Sequence, residues 1–554
     1  MNRQERKVVG ASAIGTAFEW YDFFLYGALV PVIGSKFFGE YSESAQTVFA
    51  LLTFAAGFIV RPLGAVVFAR LTDQVGRKVV FLITLILMGV STVAVGLLPT
   101  SEQIGILAPI LLVTCRILQG LAVSGEFGAA VTYVSEYAPP RARGYFVGWL
   151  TGTTALAFSL SVAVQLVVEG IVGTGSYNEW GWRIPFLIAV VPLALSVWIR
   201  ASLHESPLFQ QMKANNGTAK APLREAFSSR ARVRMIVIVF IMASAQAFIG
   251  YVSTVYMLTV MKTNLGIDSF TVNAMYLVVM LAGFFLCIGA CRLSDRVGRR
   301  PVIFAGLGLA AVLMFPLVDS INSTANPELA RAQDQTSVTL AADPSTCSFQ
   351  FNPAGTAAFT SDCDVAREAL QSNSVLFDRV DTAGGPTTVT VGDTTVTASP
   401  TFEDDLLGVL TAAGYPIDGS TQAILIEGVG DLFDARILAV MGLLLFLVLF
   451  AQMAQGPASV TMVEVFPTRI RATALSLPYQ LGVCFFGGLL PATMVAIGAE
   501  VGSFTTALWY PVIAMGLGVL VLYFTLPETH GVDLAAVTIK GDTAPVPEPT
   551  LQER

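Results

Sequence analysis

Long apolar runs separated by short polar turns fill most of the chain. A helix needs about 20 mostly apolar residues to cross a bilayer. Runs of that length fall at roughly 11–39, 46–69, 79–99, 104–136, 144–173, 183–203, 233–262, 269–292, 301–321, 434–462, 472–499 and 502–526. This pattern predicts an all-α integral membrane protein with twelve transmembrane helices. Two of the polar turns share one core, Asp73-Gln-Val-Gly-Arg-Lys78 and Asp295-Arg-Val-Gly-Arg-Arg300. Their equivalent placement implies an internal duplication into two six-helix halves, and in duplicated membrane bundles the interface between repeats is where a small molecule binds.

Composition agrees. Of 554 residues, 54% are hydrophobic and 13% charged, against about 25% charged in soluble domains, and the mean hydropathy is +0.68. The net charge of −7 comes mainly from acids in one segment, and no basic tract marks a nucleic-acid partner. The six cysteines form no C-x-x-C pair and only His204 and His530 could join them, so neither metal nor cofactor is expected. The first run carries Glu19 and Asp22 and lacks a small-residue cleavage site, which reads as a retained helix. No nucleophile elbow, P-loop or intramembrane catalytic histidine points to an enzyme.

Lys and Arg set the orientation. They crowd the turns on one side, for example Arg77, Lys78, Arg141, Arg143, Arg299 and Arg300, whereas the other side offers Lys36, Arg183 and Lys262. Both termini are therefore expected in the cytoplasm, with the protein multi-pass in the plasma (inner) membrane. The expected organisation is an N-terminal half over 1–203, a cytoplasmic linker over 204–232 and a C-terminal half over 233–322 and 434–527. A cytoplasmic tail over 528–554 is polar and expected to be disordered past Leu526. Segment 323–433 interrupts the second half between spans nine and ten, on the outer side. Thr387-Thr-Val-Thr-Val391 predicts short strands there. Cys347 and Cys363 form either a disulfide or two free thiols, and the insert reads as a solvated loop or small cap.

Charges inside a bilayer are costly and usually line a cavity or pair. Glu19, Asp22 and Tyr26 share one face of span one, and Arg116, Gln119, Val123 and Glu126 share one face of span four. Arg116 and Glu126 are about 15 Å apart by helical rise and do not pair directly. Arg61-Pro-Leu-Gly64 marks a kink in span two, and Gln246, Gly250 and Ser253 share a face in span seven. Arg116 forks onto a carboxylate, while Asp22, Glu19 or Glu126 can take and release a proton. The substrate-binding candidates are Arg116, Gln119, Tyr26 and Gln246, and the proton-coupling candidates Asp22, Glu19 and Glu126. A structural ion-pair network is the alternative for the same charges. Asp73, Gly76, Arg77, Asp295, Gly298 and Arg299 are candidate gating residues, and Glu136 is expected to pair at the cytoplasmic surface.

Asp73-x-x-Gly-Arg-Lys78, Asp295-x-x-Gly-Arg-Arg300 and Arg116-x-x-Gln-Gly120 resemble the signatures of the major facilitator superfamily. Glu19-Trp-Tyr-Asp-Phe-Phe-Leu-Tyr-Gly27, Arg61-Pro-Leu-Gly64, Gly181-Trp-Arg-Ile-Pro-Phe186, Glu205-Ser-Pro-Leu-Phe209 and Glu464-Val-Phe-Pro-Thr-Arg-Ile-Arg471 resemble its metabolite:proton symporters. The resemblance covers about 1–320 and 434–530. It implies two rocking halves around a central cavity and proton-coupled transport of shikimate, 2-oxoglutarate, citrate, proline or betaine. The usual opening glycine of the signature loop is Ala69 in one copy and Cys291 in the other, and the bulkier Cys291 is expected to loosen the second gate. The expected function is symport of a small organic acid with protons by a monomer whose partners are solute, protons and lipid. A zwitterionic osmolyte (proline or betaine) is the alternative substrate, and a non-transporting sensor using the insert is the alternative from another class.

Overall fold

The computed structural model describes residues 16–17, 20–41, 43–75, 77–124, 126–201, 222–348, 361–399, 401–417, 423–467, 470–534 and 537, apart from some side chains inside helices. It is a bundle of helices with one small α/β unit on its end. Among the described residues, eight helices are long and apolar enough to cross a membrane, from Ala45–Phe68 to Thr506–Thr525, and Ile83–Leu97, Leu107–Val123 and Gly181–Val197 are shorter apolar helices.

Several helices break where the sequence removes a backbone donor or a side chain. The second begins as Glu43–Ile59 and restarts as Arg61–Val75. The break falls at Val60, because Pro62 lacks the N–H that would donate one turn back, and Gly64 N donates to Val60 O at 3.0 Å as the helix resumes. Leu107–Val123, which carries Arg116 and Gln119, is followed by Glu126–Tyr137, and the side chain of Glu126 lies outside the described residues. π-helical turns at Val252–Tyr256 and Cys484–Gly488 interrupt two further long helices, a feature common beside functional sites.

The helices of residues 20–201 and those of 230–525 meet along a seam. Gly144 and Gly148 pack on Cys291, since a Cβ on Gly148 would lie 2.9 Å from the Cys291 Cβ. Gly456 meets Cys291 Sγ from another side. Small residues on the neighbouring helices thus make room for Cys291 at this contact.

The described residues of 327–433 form the α/β unit. The strands are β1 (Val338–Ala342), β2 (Asp378–Asp381), β3 (Thr388–Val391) and β4 (Thr394–Thr397), in spatial order β2-β1-β3-β4. β1 pairs parallel with β2 and antiparallel with β3. β3 and β4 join through the two residues Gly392-Asp393, with Gly392 at φ +57°, the left-handed geometry that short hairpin turns require. Leu340, Val389 and Val396 bury one sheet face against Leu370, Leu406 and Leu410 of the flanking helices. Cys347 and Cys363 are joined, with Cα atoms 5.2 Å apart. Arg367 donates to the carbonyls of Ala499 and Glu500 and pairs with the Glu500 carboxylate at 2.7 Å, and Ile424 N donates to Ala325 O. These bonds clasp the unit to the helices of 230–525, while its Asp362–Ser372 helix also rests against Glu43–Ile59.

Candidate functional site

Three polar centres lie along the seam. The first is sealed within the helices of 20–201. Arg116 Nη1 donates to Asp22 Oδ2 at 3.2 Å and to Gln119 Oε1 at 2.8 Å, and Gln119 Nε2 donates to Thr92 Oγ1 at 3.0 Å. Arg116 is 0% exposed and Asp22 2%. The guanidinium lies 4.4 Å from the Tyr26 ring centroid and 4.7 Å from that of Phe23. Tyr26 spends its hydroxyl on Ala50 O. The helical faces read from sequence thus converge on one buried ion pair, packed where Gly120 and Gly57 let two helices touch.

The second centre is a cavity between the two groups of helices, with about 60 Å³ for the centres of water-sized molecules. Trp20, Phe24, Phe158, Tyr251 and Tyr479 supply aromatic faces, and Gln246, Gly250, Ser253, Gln452 and Gln455 supply polar edges. No lining side chain among the described residues carries a charge. Gln246 Oε1 and Gln452 Oε1 are buried without a hydrogen-bond partner, so the cavity offers unused acceptors. The single hollow expected from sequence is therefore divided. Gln246 lines the cavity, whereas Arg116, Gln119, Tyr26 and Asp22 are enclosed in the aromatic core beside it. The side chains of Glu19 and Glu126 lie outside the described residues.

The third centre closes the end of the bundle opposite the α/β unit. The Glu464 carboxylate, 1% exposed, accepts from Arg143 at 2.7 Å, from Arg299 at 3.3 Å and from Thr529 Oγ1 at 2.7 Å. The Asp295 carboxylate accepts from Gly144 N at 2.8 Å and Tyr145 N at 2.7 Å, at the N-terminus of Arg143–Thr151, and pairs with Arg299 at 2.7 Å. A helix N-terminus favours such an anion. Arg471 pairs with Glu136 at 2.9 Å. Gly298, at φ +101°, turns the chain between Ser269–Val297 and Arg299–Ala325. Arg143 and Glu464 were missed as partners because a separation of 321 residues leaves no local signal. The gating candidates Asp73, Gly76 and Arg77 lie outside the described residues or side chains.

The start of the tail corrects the expectation of disorder past Leu526. Glu528 accepts from the backbone N–H groups of Arg299 at 2.9 Å and Arg300 at 3.1 Å, and Arg471 donates to Leu534 O at 2.9 Å. Burial pushes the Glu528 carboxyl up, but backbone N–H groups of Arg299, His530, Arg300 and Thr529 outweigh it and hold it below the usual glutamate range. At the other end of the seam, Lys262 Nζ donates to Ala28 O at 2.9 Å, so the two groups of helices touch at both ends.

The sequence model described as Major Facilitator Superfamily matches residues 12–327, and that described as Sugar (and other) transporter matches 422–540. The chain is 35% identical over 327 residues to the proline/betaine transporter of Escherichia coli (strain K12), covering 57% of this chain and 65% of that protein. It is 32% identical over 330 residues to a glycine betaine/proline/ectoine/pipecolic acid transporter of Dickeya dadantii (strain 3937), with the same two coverages. The match thus spans just under two thirds of the length of these curated relatives. Among solved structures, a D-xylose–proton symporter superposes with TM-score 0.61 at 17% identity, covering 95% of this chain and 99% of that one. The inward-open xylose transporter from E. coli superposes with TM-score 0.59 at 17% identity, covering 96% and 98%. At such identity the likeness shows a shared all-helical fold.

Proposed function

The chain belongs to the major facilitator superfamily, and from that premise we propose that it is a proton-coupled symporter of a small zwitterionic solute, working by alternating access. The observation that carries this reading is the uncharged cavity walled by aromatic rings and by two unpartnered amide oxygens. Aromatic faces hold a quaternary or secondary ammonium through cation–π attraction, about 2 kcal/mol when desolvated, and the amide oxygens take its N–H groups where it has them. A dianion in this cavity would face no cation among the described lining residues. The names of the relatives, proline/betaine transporters, favour the same substrate class.

In this reading the eight long helices, the three shorter ones and the helical stretch 20–37 are twelve spans in two halves, with the α/β unit outside and both termini in the cytoplasm of a plasma-membrane monomer. Asp22 carries the proton. Protonation releases Arg116 from its partner, and the freed guanidinium, held by Gln119 and the rings of Phe23 and Tyr26, reports the change to the cavity wall. Asp295, Gly298 and Arg299, with Glu464 and Arg143, are the inner gate, and Asp73, Gly76 and Arg77 act in the matching loop of the other half.

Labelled betaine or proline uptake into vesicles tests this. The expected result is accumulation that collapses when the pH gradient is removed, and accumulation independent of the gradient would refute proton coupling. A small organic acid is the second reading, favoured by the buried arginines Arg61 and Arg116 beside the cavity, where Asp22 is the carboxylate described next to them. Competition by dicarboxylates but not by betaine would select it.

A further inference from the structure

The Asp22–Arg116 pair leaves a second core arginine unexplained. Arg61 opens the helix restart after Val60 and is 1% exposed. Its guanidinium lies 3.8 Å from the Phe58 ring centroid, 4.2 Å from Phe23 and 5.4 Å from Trp20. Nε and Nη2 are buried without a hydrogen-bond partner. Among the described residues its electrostatic neighbours are Tyr251, Tyr479, Arg116 and Cys484, none of them a carboxylate. Asp22 is engaged by Arg116.

A guanidinium enclosed in this way has lost its water and regains only part of that loss from ring faces. Its fork geometry matches a carboxylate. Trp20, Tyr251 and Tyr479 are at once neighbours of Arg61 and walls of the central cavity. The cation therefore stands directly behind that wall, next to a cavity whose described lining holds no charge.

We propose that Arg61 is the binding residue for the carboxylate of the transported solute, reached when the side chains of Trp20, Tyr251 and Tyr479 part, while the solute's ammonium end stays among the aromatic rings and amide oxygens. This rests on the zwitterion reading above and assigns its anionic subsite. It leaves the Asp22–Arg116 pair to the proton.

Equilibrium binding of glycine betaine, and of choline, which keeps the ammonium and lacks the carboxylate, to the full detergent-solubilised chain tests the assignment. Wild type is expected to bind choline at least about tenfold more weakly than betaine. Arg61→Gln should weaken betaine about thirtyfold or more, the loss typical of a truncated buried charge pair, and leave choline within about threefold. Arg61→Lys should fall between, because a lysine keeps the charge without the fork. An Arg61→Gln protein that melts like wild type and binds betaine as tightly overturns the role of Arg61 alone. Should that variant not fold, equal affinity of wild type for betaine and choline overturns it instead. Recovery of betaine binding in the double variant Arg61→Gln/Glu19→Gln also overturns it, since Arg61 would then serve only to neutralise Glu19. Wild type that binds neither betaine, proline nor any monocarboxylate overturns this proposal together with the substrate reading.

Discussion

A Cβ placed on Gly120 would lie 1.8 Å from the carbonyl oxygen of Gly57. That atom belongs to a backbone and cannot rotate away, so Gly120→Ala must push two helices apart. We expect a loss of about 3 kcal/mol, at the upper end of overpacking costs, read as a lowered melting temperature. Gly308→Ala, whose Cβ would meet nothing within 4 Å, should be neutral or stabilise by about 0.5 kcal/mol. Asp22 predicts a functional split at the same scale. Asp22→Asn removes the only described carboxylate partner of Arg116 and the group proposed to carry the proton. Gradient-driven accumulation should fall at least about a hundredfold, in line with loss of a proton-transfer group. Exchange of solute at equal pH on both sides should persist. Loss of both together would argue for a purely structural pair.

Helix ends, as well as helix middles, hold the two groups of helices together. Asp295 caps the first turn of Arg143–Thr151 from across the seam, a contact of about 1–2 kcal/mol in a partly buried setting. Cys287 and Cys291 lie buried just behind it and serve as native reporters. Asp295→Asn should raise the rate at which a membrane-permeant thiol reagent modifies them by roughly tenfold, and an unchanged rate would remove Asp295 from the gate. Glu528 makes a pH prediction. Its carboxyl is held below the usual range of about 4.3, so the docking it supports is fully present above that range and fades as pH falls through its lowered value. Hydrogen exchange in residues 526–534 should stay slow at pH 6 and quicken only in acid. Quickening near neutrality would show that another group holds the tail.

For the molecule as a whole, the α/β unit should be separable from the bundle. The Cys347–Cys363 bridge spans 16 residues, and its loss costs about 3 kcal/mol in the chain-entropy account. Cys347→Ser/Cys363→Ser should therefore speed hydrogen exchange within 343–381 while transport and bundle melting stay near wild type. Most of the architecture was legible in the sequence because lipid imposes one simple demand, a long apolar run for each crossing. The buried charges were legible too, since Asp22 and Tyr26, or Arg116 and Gln119, fall on one face by helical period alone. What escaped was their partition. Which side of Trp20 and Phe23 a polar group occupies depends on how helices pack, and spacing along one helix carries no record of it. Pairs such as Arg143 with Glu464 and the docking of Glu528 on Arg299 join remote segments and were invisible for the same reason. Arg61 was read as the start of a kink and as one possible partner of Glu19 or Asp22, and its enclosure among aromatic rings is a three-dimensional fact.

The α/β unit is bolted to one group of helices through Arg367, Phe377 and Ile424 and merely leans on Glu43–Ile59 of the other. In the proposed alternating-access cycle it would move as a pointer fixed to one arm of a hinge. A fluorophore on its outer helix Phe402–Ala412 and another near Gln46 would translate a small rotation at the seam into a large change in separation. The appendage would thus supply a built-in gauge of the proposed cycle, readable one molecule at a time and away from the central cavity.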